Sequence, residues 1–349
     1  MQDTKLASTF NRLKRQLLSR VWLSRLILGL SLILVILFFY FISRPLIGPL
    51  AVFISPLASQ LDHSANRTNF VILGVGGPGH EAPDLTDTII FASLQLATGQ
   101  ITLISIPRDL WVPSMRAKIN TAYHYGEQRR PDSGGLTLAK SSVSEVLNQP
   151  VHYAAVINFN SFVEFIDHLG GIEVVVQRAF VDAFYPLPDR ENDDCGGDPQ
   201  TLCRYETVTF SAGPQYMDGN LALKFVRSRH ADDDEGTDFA RSRRQTQVIQ
   251  AILSKLTAIA KHPRNFSLLK QGYDIAMSGL ETDFPKNNLP LLLRLGLLVR
   301  HQALATAALA ESNTLYHPPV SSEFDSQWVL IPQDRNPQVV YDFVADLLK

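Results

Sequence analysis

Cysteine is almost missing from this 349-residue chain, which has only Cys195 and Cys203. Both lie in the polar stretch DRENDDCGGDPQTLCRYE, where they could close a small disulfide loop in an oxidising compartment. A metal site is the rival reading, and two thiols without a nearby histidine pair do not complete a zinc tetrahedron. An excess of one charge sign is also missing. The 32 Lys and Arg against 34 Asp and Glu leave a net of -2, which argues against a surface built for nucleic acid. Disorder and collagen-like repeats are excluded by the 45% of hydrophobic residues, enough for a large buried core. G-x-S-x-G, H-E-x-x-H and Walker A patterns do not occur, so zincin and P-loop chemistry have no support, nor does a nucleophile-elbow serine. GVGGPG at 74–79 formally matches G-x-G-x-x-G, but Pro78, His80, Pro83 and a following strand leave no helix to meet a pyrophosphate. It reads as a flexible loop.

What is present begins with a charge asymmetry. Residues 1–25 hold Lys5, Arg12, Lys14, Arg15, Arg20 and Arg25 against Asp3 alone, and read as a basic cytoplasmic tail. Residues 26–42, LILGLSLILVILFFYFI, carry no charge and approach the roughly 20 residues that cross a bilayer. The basic side stays in the cytoplasm by the positive-inside rule, so the remainder, with a net charge of -7, is expected on the outer face of the cell membrane. No clean small-x-small cleavage site comes after the run, which favours an uncleaved single-pass anchor over a signal peptide. Pro45, Pro49 and Pro56 break the next apolar stretch, and 43–68 reads as a juxtamembrane linker.

From Asn69 the pattern becomes globular. FVIL, TDTIIFASLQL, QITLISI, VHYAAVINF and IEVVV read as strands. Residues 138–147, a segment starting near Asn160 and ended by Gly170-Gly171, DGNLALKFVRSR, 238–261, 289–300 and a last segment after Asn336-Pro337 read as helices. The expected class is α/β (α+β), with a central mixed sheet flanked by helices. The sequence divides into an α/β domain over 69–262, and a helical extension over 263–349.

Arginine is dense at three places: Arg108 in SIPRDLW, Arg227 and Arg229 in FVRSRH, and Arg241, Arg243 and Arg244 in DFARSRRQ. A guanidinium offers a planar fork of donors that suits phosphate oxygens. The bland reading is a set of ion pairs with Asp232, Asp233, Asp234, Glu235 and Asp238. Arg108 resists it, because it comes after an apolar strand and a proline, where α/β sheets commonly place ligands. Asp87, Asp109 and Asp238 add carboxylates, and together these groups are the equipment of magnesium-assisted chemistry at a phosphate ester. Alone, Asp87 would be a strand-start residue and Asp238 a helix cap.

NFVILG, TDTIIFAS, LISIPRDLWV, KINTAY, NFNSFVEFIDHLGGIEVVV, GPQYMDGNLALKFVRSRH and TDFARSRRQ succeed one another in order. In this ordered set the chain resembles the LytR-CpsA-Psr (LCP) family of cell-envelope phosphotransferases. The resemblance implies transfer of a glycopolymer from a polyprenyl-pyrophosphate carrier to a wall acceptor such as peptidoglycan, with the prenyl tail in an apolar tunnel. It implies a metal-binding role for Asp87, with Mg2+, and pyrophosphate binding and catalysis by Arg108, Arg227 and Arg229. Asp238, Arg241 and Gln245 match the remaining polar residues of that pocket. Two positions depart from the family pattern: Gly76 stands where an aspartate is usual, and Leu85 where an arginine is usual. A lipid-pyrophosphate hydrolase, and a protein that binds a prenyl phosphate or wall polymer without turnover, are the alternative readings; a nucleic-acid partner is not expected.

Overall fold

Apolar residues on both faces of RTNFVILGV and TDTIIFASLQ make these segments the buried centre of a sheet rather than a half-exposed layer. In the computed structural model, residues 55–349 are described apart from 81, 188–189, 191, 232–233, 261–265, 286–288 and 300–303. The basic tail, the apolar run 26–42 and the first part of the linker lie outside the described residues. Among the described residues no helix is long and apolar enough to cross a membrane. Leu57–Lys349 forms a unit of its own.

Strands β1 (Arg67–Val75), β2 (Thr86–Gln95) and β3 (Ile101–Ser105) form an antiparallel meander. A short pair, β4 (Trp111–Val112) and β5 (Ala117–Lys118), leads into helices α1 (Ala122–Arg129) and α2 (Gly134–Leu147). Strand β6 (Tyr153–Asn158) then returns parallel to β1. Helix α3 (Phe159–His168) begins at Asn158, whose Oδ1 accepts the Ser161 N–H at 2.8 Å. It ends at Gly170 and Gly171, both at positive φ, a conformation that suits glycine. Strands β7 (Ile172–Val176), β8 (Phe180–Pro186), β9 (Tyr205–Phe210) and β10 (Gly213–Met217) form two small ladders, β7 with β10 and β8 with β9. Helices α4 (Gly219–Arg227) and α5 (Asp238–Ala260) come next.

The remaining elements are α6 (Phe266–Ser278), β11 (Leu280–Thr282), α7 (Leu289–Val299), β12 (Leu304–Ala308), β13 (Leu315–Tyr316), β14 (Ile331–Pro332) and α8 (Gln338–Leu347). The central sheet has the order β11-β6-β1-β2-β3-β12 and mixes parallel and antiparallel pairs, with helices on both faces, as the expected class requires. The segment expected as a helical extension thus supplies both outer strands of that sheet. They are three and five residues long, too short for a period-2 pattern to stand out in the sequence.

Val71, Leu73, Val75, Phe91 and Ile104 pack with Leu136 and Val143 of α2 and Val340 and Val344 of α8. Phe70, Ile72, Ile90 and Leu103 form the opposite apolar layer with Ile249 of α5. Val248 and Ala251, on the same helix, pack instead with Val174, Phe180, Phe210 and Phe225 in a second core under the two ladders. Helix α5 therefore serves two cores at once, which fixes its N-terminal turns against the end of the sheet.

Candidate active site

β2 starts and β3 ends on the same edge of the sheet, because the two run antiparallel with Ile90 opposite Ser105. Pro107 has no N–H with which to continue β3, and the next residue, Arg108, turns back to Asp87. Arg108 Nη1 donates to Asp87 Oδ1 at 2.7 Å, and its Nε lies 3.4 Å from Asp109 Oδ2. Asp109 Oδ1 in turn accepts from Lys118 Nζ at 2.7 Å. The Arg108 and Asp87 side chains are 35% and 38% exposed, so a ligand can reach both. Burial is the largest influence on the Arg108 pKa and lowers it, but Asp87 and Asp109 together outweigh it and the net shift is upward. Arg108 stays a cation.

Val75, the last residue of β1, pairs with Thr86 on one side and Asn158 on the other. Asp87 adjoins Thr86 and Phe159 adjoins Asn158, so these two residues flank the end of β1. The Arg227 guanidinium lies over the Phe159 ring at 4.2 Å, which brings the end of α4 to this same edge. Arg227 also donates to the Tyr185 hydroxyl at 3.4 Å. Burial raises the Tyr185 pKa more than Arg227 lowers it. Two residues on, Arg229 and His230 donate their backbone N–H groups to Asp182 Oδ2, at 2.9 and 3.2 Å. Asp182 is completely buried and also accepts the Phe184 N–H.

Helix α5 presents Arg241 and Gln245 four residues apart, both buried. Gln245 Nε2 donates to Thr88 Oγ1 at 3.2 Å, which ties the helix to the residue after Asp87 on β2. Asp238 opens the helix, and its side chain lies outside the described residues. Arg243 and Arg244 conform to the bland reading. Arg243 pairs with Glu235, and Arg244 is buried, donating to Glu235 and to the carbonyls of Phe225 and Ser228. Burial, partly offset by Glu235, holds the Arg244 pKa down to about 10, and the side chain ties the loop after α4 in place.

The structure therefore joins Asp87 to Arg108, ties Gln245 to the adjacent Thr88, and lays Arg227 over Phe159 at the neighbouring strand end, while Arg229 is fixed by its backbone on Asp182. Phe159, Tyr185, Asp182 and Lys118 belong to this neighbourhood and were not singled out from the sequence. Lys118 and Phe159 carried a signal, as the first residue of KINTAY and the second of NFNSFVEFIDHLGGIEVVV; Asp182 and Tyr185 carried none. Leu85 is half-buried beside this edge, with no charge to offer. Cys195 and Cys203 are joined in a disulfide with their Cα atoms 5.5 Å apart, which removes them as metal ligands although Asp193 lies beside them.

The chain is 29% identical over 240 residues to the polyisoprenyl-teichoic acid–peptidoglycan teichoic acid transferase TagU of Oceanobacillus iheyensis, covering 67% of this chain and 64% of that protein. It is 26% identical over 224 residues to the TagU of Bacillus cereus, covering 59% and 62%. The matches thus span just under two thirds of the length of these curated relatives. Among solved structures, a Streptococcus agalactiae protein aligns with TM-score 0.58 at 22% identity, over 84% of this chain and 91% of that one. Bacillus subtilis TagV aligns with TM-score 0.55 at 20% identity, over 82% and 98%. These likenesses establish a shared fold. The sequence profile of the LytR_cpsA_psr family matches residues 54–323, most of the chain, and with the fold and the ordered motifs in agreement the protein is a member of that family.

Proposed function

We propose that the protein is a membrane-anchored transferase that moves a glycopolymer from a polyprenyl-pyrophosphate carrier onto a cell-wall acceptor such as peptidoglycan. The observation that carries this reading is the pair of cationic groups flanking the end of β1: Arg108 on Asp87 and Arg227 on Phe159. A diphosphate bridging them would be gripped by charge-assisted hydrogen bonds, and the family resemblance adds Arg229, Asp238, Arg241 and Gln245 to the same pocket. An acceptor hydroxyl attacks the sugar-linked phosphorus. A new P–O bond forms, the bond to the bridging oxygen breaks, and polyprenyl phosphate leaves, with the hydroxyl proton passing to the departing phosphate. The arginines stabilise charge that builds on the phosphoryl oxygens and on the leaving group.

Asp87 keeps Oδ2 beyond its bond to Arg108, and magnesium commonly takes one or two carboxylates together with substrate phosphates. The donor set here fits such an ion with Asp87 as its protein ligand, since Gly76 offers no carboxylate. Bound there, Mg2+ would neutralise phosphate charge as a Lewis acid.

Placement outside the membrane is supported by the uncharged run 26–42 behind a basic tail and by the Cys195–Cys203 disulfide, a bond that persists in oxidising compartments. The test uses the full chain in detergent with a synthetic polyprenyl-pyrophosphate glycan, a peptidoglycan fragment and Mg2+, with products read by mass spectrometry and Arg227→Ala run in parallel. A phosphodiester-linked product absent from the Arg227→Ala reaction is expected. A free glycan phosphate would instead identify a hydrolase, and lipid bound but unchanged would identify a binding protein.

A further inference from the structure

Gly76 is buried, and its φ is not in the left-handed region, so backbone freedom does not explain a glycine there. Space does. A Cβ at residue 76 would lie 2.8 Å from Cγ and 2.9 Å from Cβ of His80, closer than real atoms approach. The loop folds back on itself through His80 N–H to Gly77 O and Gly77 N–H to Pro83 O, and the His80 side chain is thereby seated over Gly76. Its imidazole stands perpendicular to the Phe159 ring, with centroids 5.4 Å apart. The loop meets the start of α3 a second time at Gly77, where a Cβ would lie 2.8 Å from that of Asn158.

Phe159 is thus the shared partner of His80 and of the Arg227 guanidinium. Among the described residues no carboxylate pairs with Arg227. Its remaining contacts are a 3.4 Å hydrogen bond to the Tyr185 hydroxyl and the Tyr185 ring at 5.7 Å. The direction of this cation is set by aromatic surfaces, and the Phe159 surface is set in turn by His80.

We infer that His80 is a positioning residue for Arg227: seated in the room that Gly76 leaves, it braces the ring on which the guanidinium lies. This rests on the reading of Arg227 as a diphosphate-binding group. Inorganic pyrophosphate titrated calorimetrically into the full chain is the probe. His80→Ala is expected to weaken binding about 10-fold, the scale of one partly desolvated cation–π contact, and His80→Phe to stay within about 2-fold because a ring is restored. Gly76→Ala displaces the imidazole and should match His80→Ala, and the two together should be no worse than either alone. Unchanged affinity in His80→Ala, additive losses, or a His80→Phe variant as weak as His80→Ala would each overturn the inference.

A second readout does not depend on the ligand. The Arg227 Nε–H NMR resonance should be shifted by the Phe159 ring current in the wild-type protein, and should move toward its Phe159→Ala position in His80→Ala. If the wild-type protein binds no pyrophosphate while that shift behaves as stated, the diphosphate reading fails and the brace stands. A resonance unmoved by His80→Ala removes the brace.

Discussion

Among single residues, Asp182 carries the largest structural obligation near the site. Its carboxylate has no exposure and satisfies the N–H groups of Phe184, Arg229 and His230. Asp182→Ala would leave those donors buried without acceptors and is expected to cost about 3 kcal/mol in urea unfolding. At the proposed phosphate contact the scale is smaller: Arg108→Ala is expected to lose about 1.5–3 kcal/mol of pyrophosphate affinity for each charge-assisted bond removed, measured by calorimetry. These two residues were unequally visible. Arg108 stands after an apolar strand and a proline, a boundary that singles it out. Asp182 lies in FVDAFYP, where the period-2 rule turns Val181 outward and the aspartate inward, against what polarity suggests.

At the level of elements, α4 shows how a local signal sets a functional position. Asp218 Oδ1 accepts the Leu221 N–H at 2.8 Å and starts the helix that ends at Arg227. Asp218→Ala is expected to lower stability by about 1 kcal/mol in thermal unfolding, the ordinary value of a lost N-cap. The cap and the apolar spacing of LALKF made this helix readable, and the same holds for α3 and α5. Helix α1, with the sequence AYHYGEQR, has few apolar residues and no capping side chain, so nothing local announces it. Strands β11 and β12 were missed because they depend on partners, Ala155–Ile157 and Ile101–Ser105, rather than on a pattern of their own. The polar stretch that holds the two cysteines separates β8 from β9, which pair because Phe180, Val208 and Phe210 have a core to enter.

Taken whole, the unit depends on contacts between distant parts of the chain. His152, which joins Asn69 and Ser64 across the base of the sheet, has its pKa lowered below the ordinary 6.5, chiefly by burial. The stability gained by keeping it neutral is full above that value and is lost as pH falls through the folded-state pKa. Replacing it by Gln should therefore reduce the drop in Tm between about pH 7 and about pH 5. The C-terminal segment reaches further into the site. Leu330 donates its N–H to Asp109 O at 3.0 Å and accepts the Trp111 N–H at 2.9 Å, clasping the residues just after Arg108. A chain ended at residue 279 loses this clasp together with β11 and β12, and is expected to show no cooperative unfolding transition by circular dichroism. The clasp also sets a schedule for biosynthesis. Arg108 leaves the ribosome long before Leu330 does, so a nascent chain holds every arginine of the pocket without the backbone that frames the first of them. The anion grip proposed for Arg108 therefore gains its backbone frame only at the end of synthesis.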